Sequence, residues 1–296
     1  MSDAFLEAVS AAIAKSTGQP VNLRDGGHVG GGSINETRVL HSDRGDSLFL
    51  KTNRAAPPEM FEREAEGLNS LAAADTIRVP RPIALGSHES QPFLVIEYVR
   101  SGNRDETFSE TFGRQFAELH LNSRFEQFGF PHDNYLGTTL QPNALRDDWV
   151  SFWRDNRLGY QLGLARSNGH SDRRMERLGD GLMDRLPDLI ESPREPPCLL
   201  HGDLWGGNYM VDEDGKPVLI DPAAYQGRRE ADLAMTHLFG GFDSRFYAAY
   251  QEVWPLESGS EDRLEIYELY HRLNHLNLFG SGYRAGCMAT LERFGA

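Results

Sequence analysis

A short segment of this sequence combines two aspartates, an asparagine and several glycines in a way that few folds require. It reads His201-Gly202-Asp203-Leu204-Trp205-Gly206-Gly207-Asn208, and an apolar run then leads to Asp221-Pro222. Glycine, aspartate and asparagine are common turn residues, so a plain turn between two strands is the simplest alternative. This loop taken alone would favour that alternative. Further segments with related chemistry occur in order along the chain, and together they favour a catalytic function.

The spacing of these polar residues is the one that protein kinases use for phosphoryl transfer. In those enzymes an aspartate takes the proton of the acceptor hydroxyl, while an asparagine and a later aspartate hold magnesium. Asp203 is therefore the candidate base, and Asn208 and Asp221 are the candidate ligands of magnesium, which prefers oxygen donors. A carboxylate with an ordinary pKa is a poor base for an alcohol. We therefore expect Asp203 to orient the hydroxyl and to accept its proton late.

A lysine on a predicted strand is the candidate contact for the phosphate groups. Lys51 directly follows three apolar residues, although a solvent-facing side chain is the default for lysine. Kinases fix this ammonium group with a glutamate of the next helix. Among the glutamates of the following helix we expect Glu64 to form this ion pair, and Glu62 and Glu66 to face water.

Two other segments are candidates for binding the nucleotide. Gly31, Gly32 and Ser33 belong to a glycine-rich turn over residues 26–33, where backbone N–H groups can approach phosphate oxygens closely. By itself this motif is weak, because glycine turns join many hairpins. The run Leu94-Val95-Ile96-Glu97-Tyr98-Val99 resembles a kinase hinge. It predicts adenine contacts at the Glu97 carbonyl and the Val99 amide.

The hydrophobic periodicity predicts an α+β fold. The resemblance of the motifs to those of kinases implies that this fold is of the two-lobe, protein-kinase-like type. Residues 1–99 are expected to form a nucleotide-binding lobe built on a small antiparallel sheet. Residues 100–296 are expected to form a mainly helical lobe with the acceptor site and with the loop at 201–208, which we call the catalytic loop. Helices are predicted at residues 5–13, 59–73, 107–122, 147–164, 174–186, 231–238, 243–254 and 261–279. Strands are predicted at residues 21–23, 37–40, 47–52 and 92–99, and a strand pair around residues 198–221.

Composition limits the classes of partner. The 296 residues include 30 basic and 44 acidic side chains, a net charge of -14, which argues against binding to nucleic acid or anionic membranes. The two cysteines provide no disulfide framework, which fits a reducing cytosol. The first residues lack the basic region of a signal peptide, and no uncharged apolar run of about 18 residues occurs. We expect a cytoplasmic monomer.

Longer motifs give the chain a specific family resemblance. The loop at 201–208 and Asp221-Pro222-Ala223 look like the fructosamine kinase (ketosamine-3-kinase) family, and the likeness covers nearly the whole chain. Aminoglycoside phosphotransferases and choline kinases share with it only the His-Gly-Asp, Asn and Asp skeleton. The other segments that match the family are Phe130–Gly137, Gln141-Pro142-Asn143, Asp148-Trp149, Gly227–Met235, Leu238–Phe242 and Tyr270–Gly280.

This resemblance implies an enzyme that uses ATP and magnesium to phosphorylate the sugar 3-hydroxyl of ketosamines, which are adducts of sugars with small amines or with protein amines. The 3-phosphate is unstable and frees the amine, so the implied activity is deglycation. By the same resemblance Asp203 is the base, Asn208 and Asp221 bind magnesium, Trp205 lies beside the sugar, and Asp232 bonds to the catalytic loop. A core-packed ring is the alternative for Trp205.

Two other functions compete with this one. The chain could be a small-molecule kinase of the aminoglycoside or choline kinase type that acts on another amine-bearing alcohol. It could also be an inactive binding module of kinase shape, but the presence of Lys51, Asp203, Asn208 and Asp221 disfavours that. The two kinase hypotheses share the phosphoryl-transfer residues, so only the acceptor pocket can separate them.

Overall fold

The computed structural model describes residues 1–30 and 35–296 and begins with a five-stranded antiparallel sheet. The strand order is β1-β2-β3-β5-β4, so β3 and β5 are central neighbours and β4 is an edge strand. The elements of this unit are α1 (Asp3–Thr17), β1 (Leu23–His28), β2 (Glu36–Ser42), β3 (Ser47–Thr52), α2 (Met60–Ala73), β4 (Pro82–His88) and β5 (Gln91–Glu97).

Helix α1 covers one face of the sheet. It begins at Asp3 because the Ser2 hydroxyl accepts a hydrogen bond from the Phe5 amide, and it ends at Gly18, whose φ of 72° suits glycine. Its buried residues form one apolar cluster with side chains of strands β2 to β5. The members of this cluster are Phe5, Val9, Ile13, Leu40, Leu50, Ala84, Phe93 and Val95.

The opposite face of the sheet points toward α2 and the rest of the chain. Side chains alternate between the two faces of a strand, so Lys51 lies on the face opposite to Leu50. Lys51 is paired in register with Leu94, which packs with the α2 side chains in the larger apolar cluster. The sheet therefore directs Lys51 into the interior of the molecule and not toward solvent.

The remainder of the chain is mainly helical. A π-helical segment, Arg154–Gly159, joins α4 to α5, and the short strands pair as β6 with β7, β8 with β11 and β9 with β10. The elements are α3 (Phe108–Asn122), β6 (Asn134–Leu136), β7 (Thr139–Gln141), α4 (Trp149–Trp153), α5 (Tyr160–Ser167), α6 (Arg173–Ile190), β8 (Cys198–Leu200), β9 (Tyr209–Val211), β10 (Pro217–Leu219), β11 (Tyr225–Gly227), α7 (Arg229–Leu238), α8 (Ser244–Val253), α9 (Ser260–Phe279) and α10 (Arg284–Phe294). No helix in the described ranges is long and apolar enough to cross a membrane.

The predicted helices are present, but several strand predictions need correction. Gly26 and Gly27 were expected in a turn and instead belong to β1, where a bulge between Asp25 and His28 accommodates them in the ladder. The region 198–221 contributes to two strand pairs and not one. The edge strand β4 was missed because it begins at Pro82, which only an edge position tolerates readily. The β6–β7 hairpin and α10 were also missed.

Buried histidines should make the fold sensitive to acid. His271 on α9 is 3% exposed, and burial lowers its pKa to about 3. The unfolded chain would protonate this group near its ordinary pKa of 6.5, so the unfolded state binds more protons below that value. The contribution of His271 to the free energy of unfolding therefore decreases as the pH falls from about 6.5 to about 3. The decrease is at most about 1.4 kcal/mol per pH unit.

We predict that His271→Leu makes the unfolding free energy less dependent on pH in this acid range. Urea unfolding at a series of pH values measures that dependence. The same change at the exposed His41 on β2 is the control and should leave the pH dependence unaltered. An unchanged slope in the His271 variant would contradict the assignment of a neutral buried imidazole.

Candidate active site

A cavity of about 730 Å³ lies between the sheet and the helical part of the chain. The sheet and α2 contribute Lys51 and Glu64 to its lining, and the loops around β9 and β10 contribute Asp203, Asn208 and Asp221. Residues that are far apart in sequence thus meet in one cleft, as the phosphoryl-transfer pattern requires.

Lys51 bridges two carboxylates from different parts of the fold. Its ammonium group donates hydrogen bonds to Glu64 on α2 and to Asp221 after β10, and the residue is 3% exposed. Burial alone would lower the pKa of Lys51, but the charges of Asp221 and Glu64 outweigh it and raise this pKa, so the amine stays charged. The ion pair with Glu64 is present as expected. The pair with Asp221 was not foreseen.

Asp221 adopts a backbone conformation that is unusual for its residue type. Its φ is 55°, in the left-handed region, and it lies two residues after the end of strand β10. The preceding residue, Ile220, donates its amide to the Asn208 carbonyl at 3.1 Å. This bond ties the end of β10 to the catalytic loop, so that the side chains of Asn208 and Asp221 face the same space.

Asp203 is held by Asn208 and has an altered pKa. The Asn208 side-chain amide donates to the Asp203 carbonyl at 2.8 Å and to Asp203 Oδ2 at 3.0 Å. Burial raises the pKa of the Asp203 carboxyl well above its usual range, and the nearby charge of Asp221 adds to this effect. The expectation of an ordinary pKa was therefore wrong. Asp203 binds a proton more readily than an exposed aspartate, which suits a proton acceptor.

The oxygens left free by these contacts suit a magnesium ion. Asn208 uses its amino group toward Asp203, so its amide oxygen remains available, and Asp221 keeps one carboxylate oxygen beside the one that contacts Lys51. In the part of the chain that the structure describes, no three His, Cys, Asp or Glu residues cluster as a metal site. Two hard oxygen ligands with phosphates and water around them fit magnesium, which keeps several waters when bound to proteins.

A buried aspartate supports the catalytic loop from below. Asp232 on α7 accepts hydrogen bonds from the His201 amide at 2.6 Å and from the Gly202 amide at 2.7 Å, and His120 contacts the same carboxylate at 3.2 Å. The contact of Asp232 with the loop is thus as the resemblance implied. His201 Nε2 donates to the Ile220 carbonyl at 2.9 Å, so this imidazole braces the loop.

Gly202 allows the catalytic loop to come close to the segment that follows Asp221. Its φ is 82°, and a side chain here would clash with the carbonyl of Ala223 in the neighbouring segment. The catalytic loop and the segment after Asp221 can therefore pack directly against each other.

A second support, built from neutral amides, holds the segment after Asp221. Asn134 donates to the Ala224 carbonyl at 2.7 Å, and Gln141 donates to the Ala223 carbonyl at 3.0 Å. Both donors come from the β6–β7 hairpin and are buried. They fix the backbone that follows the left-handed Asp221, so the hairpin has a role that periodicity could not indicate.

Arg157 in the π-helical segment anchors this amide network. It is fully buried and donates to the Asn143 side chain at 2.8 Å and to the Pro142 carbonyl at 2.6 Å. Asn143 in turn donates to Asn134 at 2.9 Å. The guanidinium lies 4.0 Å from the centre of the Tyr225 ring, a favourable cation–π geometry. The π-helical segment thus connects to the Asp221 loop through side-chain hydrogen bonds.

Two residues predicted to contact adenine lie at the cavity. Glu97 and Val99 both line the cavity, and Glu97 pairs with Arg78 at 2.7 Å, which also binds Asp212 at 2.9 Å. This chain of contacts links β5 to β9. Contacts of Glu97 and Val99 with adenine stay a prediction. Gly31, Gly32 and Ser33 lie outside the described residues.

Trp205 lies at the cavity and not in the core. The residue is 38% exposed, and its ring packs over Gly207, where a side chain would clash with the indole. The alternative of a core-packed ring is therefore wrong. Further cavity-lining residues that were not predicted are Phe239, Asn274, His275, Phe279 and Tyr283. The helical spacing of His275 and Phe279 along α9 was a usable signal, but only the packing of α7 against α9 brings Phe239 beside them.

Comparison with known proteins relates the whole chain to one family. The fructosamine kinase family model matches residues 5–295. A protein-ribulosamine 3-kinase from Arabidopsis thaliana is 41% identical over 279 residues, which cover 94% of this chain and 84% of that protein. A protein of Synechocystis sp. that is assigned as a ketoamine kinase is 40% identical over 289 residues, which cover 97% and 96%.

Solved structures agree with these sequence relatives. A structure from Thermobifida fusca that is assigned as a fructosamine-3-kinase has a TM-score of 0.84 at 33% identity, with 96% of this chain and 97% of that chain covered. An aminoglycoside phosphotransferase, APH(4)-Ia, in a ternary complex with ADP and hygromycin B has a TM-score of 0.62 at 16% identity, covering 98% and 99%. The latter likeness shows the fold alone. The expected kinase-like α+β fold is confirmed.

We predict that Lys51→Met weakens ATP binding on the order of tenfold or more, because the variant loses the buried ammonium that kinases direct at the phosphates. Isothermal titration of ATP with magnesium measures this change, and circular dichroism checks the fold. Lys15→Met on the exposed side of α1 is the matched control. Equal ATP affinity in a folded Lys51 variant would remove Lys51 from the nucleotide site.

Proposed function

The chain belongs to the fructosamine kinase family and is a kinase, and from that premise we propose that it phosphorylates the sugar 3-hydroxyl of ketosamines with ATP. The observation that carries the proposal is the meeting of Lys51, Asp203, Asn208 and Asp221 in one cavity with Trp205 at its side. The relatives' names support the acceptor class, since they include ketoamine and ribulosamine 3-kinases.

ATP and magnesium are the proposed cofactors. The family supports ATP use, and a structure of the same fold is a complex with ADP. Asn208 and Asp221 would hold magnesium through their free oxygens, and the ion would neutralise charge on the phosphates. Lys51, fixed by Glu64, would add a positive charge at the same phosphates. Glu97 and Val99 would bind adenine, and Gly31, Gly32 and Ser33 would contact the phosphates.

Asp203 is the proposed base. Asn208 occupies Asp203 Oδ2, and no described residue donates to Oδ1, so that oxygen is available to a substrate hydroxyl. The raised pKa of Asp203 increases its affinity for the proton that the sugar hydroxyl loses. Asp232 and His201 keep the loop in place and thereby orient this carboxylate. Trp205 would present its indole face to the sugar.

The consequence we propose is deglycation. A 3-phosphate on a ketosamine is unstable and releases the amine, so phosphorylation would repair small glycated amines or glycated protein amines. We further propose that residues 1–99 form the nucleotide lobe and residues 100–296 the acceptor lobe. We also propose that the protein is a cytoplasmic monomer and that it binds neither nucleic acid nor a membrane.

We predict that Asp203→Asn lowers turnover by roughly 10²- to 10⁴-fold, because the amide cannot accept the hydroxyl proton. The ATP affinity should change little, since this side chain does not hold the nucleotide. Single-turnover kinetics and ATP titration separate the two quantities. Near-normal turnover in a folded variant would remove Asp203 from the role of base.

The acceptor class can be tested by ATP turnover against a small panel. We expect a ribulosamine or a fructosamine to be phosphorylated in preference to kanamycin or choline, because the family resemblance extends over the whole chain. The same panel without protein gives the background rate. Efficient turnover of kanamycin with no turnover of any ketosamine would replace this proposal by an aminoglycoside-type function.

A further inference from the structure

Five rings form a continuous surface along one side of the cavity, which we call the aromatic wall. Trp205 contacts Phe239 with ring centres 6.0 Å apart, and Phe239 contacts His275 at 4.7 Å. His275 also contacts Phe279 at 5.4 Å and Tyr283 at 5.1 Å. The wall thus begins at Trp205, two residues after the proposed base, and continues through Phe239 to the C-terminal part of α9 and to Tyr283.

Three rings of the wall are unusually accessible for large apolar side chains. Trp205 is 38% exposed, Phe239 41% and Phe279 56%. Exposed apolar side chains that are scattered singly need no explanation, but a contiguous group inside a cavity indicates a binding surface. Exposure is greatest at Phe279, at the end of α9, so a ligand on the wall can extend there into solvent.

His275 gives the wall a hydrogen-bond acceptor. Its Nδ1 donates to the His271 carbonyl at 2.8 Å, and burial lowers the pKa of the ring, so His275 is neutral near pH 7. The Nε2 atom then carries a lone pair. Among residues 1–30 and 35–296 no group donates a hydrogen bond to it. A neutral imidazole among aromatic rings can accept an N–H from a ligand.

The charges around the cavity restrict what can bind there. Its cationic lining residues are Lys51, which is paired with Glu64 and Asp221, and Arg63, which is paired with Glu66 at 2.7 Å. Residues 31–34 add no charged side chain. The wall itself carries no cation, so a carboxylate on the ligand would find no partner there. Aromatic faces instead attract a cation.

We propose that the aromatic wall binds the amine end of the acceptor, as a secondary ammonium that carries an uncharged alkyl or aryl substituent. The ammonium donates to His275 Nε2 and lies against the neighbouring rings, while the substituent packs on Phe279. This inference rests on the proposed ketosamine kinase function, in which the amine is only a few bonds from the phosphorylated hydroxyl. Adducts of α-amino acids, with a carboxylate beside the amine, bind more weakly.

The test compares two ribulosamines that differ only in the amine, one made from butylamine and one from glycine. We expect kcat/KM of the wild-type protein to favour the butylamine adduct on the order of tenfold or more. Phe279→Ala should reduce this preference by raising KM for the butylamine adduct. His275→Phe keeps a ring but loses the acceptor, so it should raise KM for both adducts. The KM for ATP should stay unchanged in both variants.

Phe125→Ala is the matched control, because Phe125 is 38% exposed and does not line the cavity. Phosphorylation of both adducts with equal kcat/KM, or wild-type KM values in both wall variants, would overturn the aromatic wall as the amine site while the kinase proposal stands. Failure to phosphorylate either adduct would overturn the ketosamine function, and the amine site with it.

Discussion

The buried ammonium of Lys51 is the interaction on which the arrangement of the site depends. It joins β3, α2 and the segment after β10 through two carboxylates, Glu64 and Asp221. A buried charge that loses its partner typically costs 3–5 kcal/mol, so the three elements cannot easily move apart. The sheet therefore meets the catalytic loop with Lys51 and Asp221 already aligned. Alignment of this kind is the main contribution that a protein makes to phosphoryl transfer.

The far side of the same loops is held mostly by uncharged groups. Asn134 and Gln141 fix the carbonyls that follow Asp221, and Asp232 brings a carboxylate under the catalytic loop. Amides hold a backbone without adding charge, so they leave the electrostatics of the cleft to Lys51 and the acidic residues. The raised pKa of Asp203 follows from this, since burial and Asp221 dominate its surroundings.

Local chemistry made part of this structure predictable. The pairing of Lys51 with Glu64 was predictable because a lysine on a predicted strand was followed by a glutamate on the next predicted helix. In the loop at 201–208, the spacing alone indicated Asp203 and Asn208. The contact of Lys51 with Asp221 was not predictable, because it depends on how the sheet meets the helical part. The edge strand β4 was not predicted because it begins with a proline. The pKa of Asp203 could not be anticipated either, since desolvation is set by the whole fold.

The acceptor side was the least predictable region. Phe239 directly follows α7 and Phe279 is the last residue of α9, and each reads as an ordinary apolar residue until α7 and α9 pack together. Both kinase hypotheses share the phosphoryl-transfer residues, so only the acceptor side could distinguish them. The sequence did not reveal that side, and it therefore could not decide between the two hypotheses. The aromatic wall distinguishes this side of the cavity from the phosphoryl-transfer side, because it offers rings and a neutral imidazole but no cation.

The most direct test of this account is to identify the product by phosphorus NMR. Protein, ATP, magnesium and a ribulosamine labelled with carbon-13 at the third sugar carbon are followed over time. We expect a new phosphomonoester coupled to the labelled carbon, and then its decay to inorganic phosphate with release of the free amine. A stable phosphomonoester on another sugar carbon, or a phosphorylated amine, would contradict it.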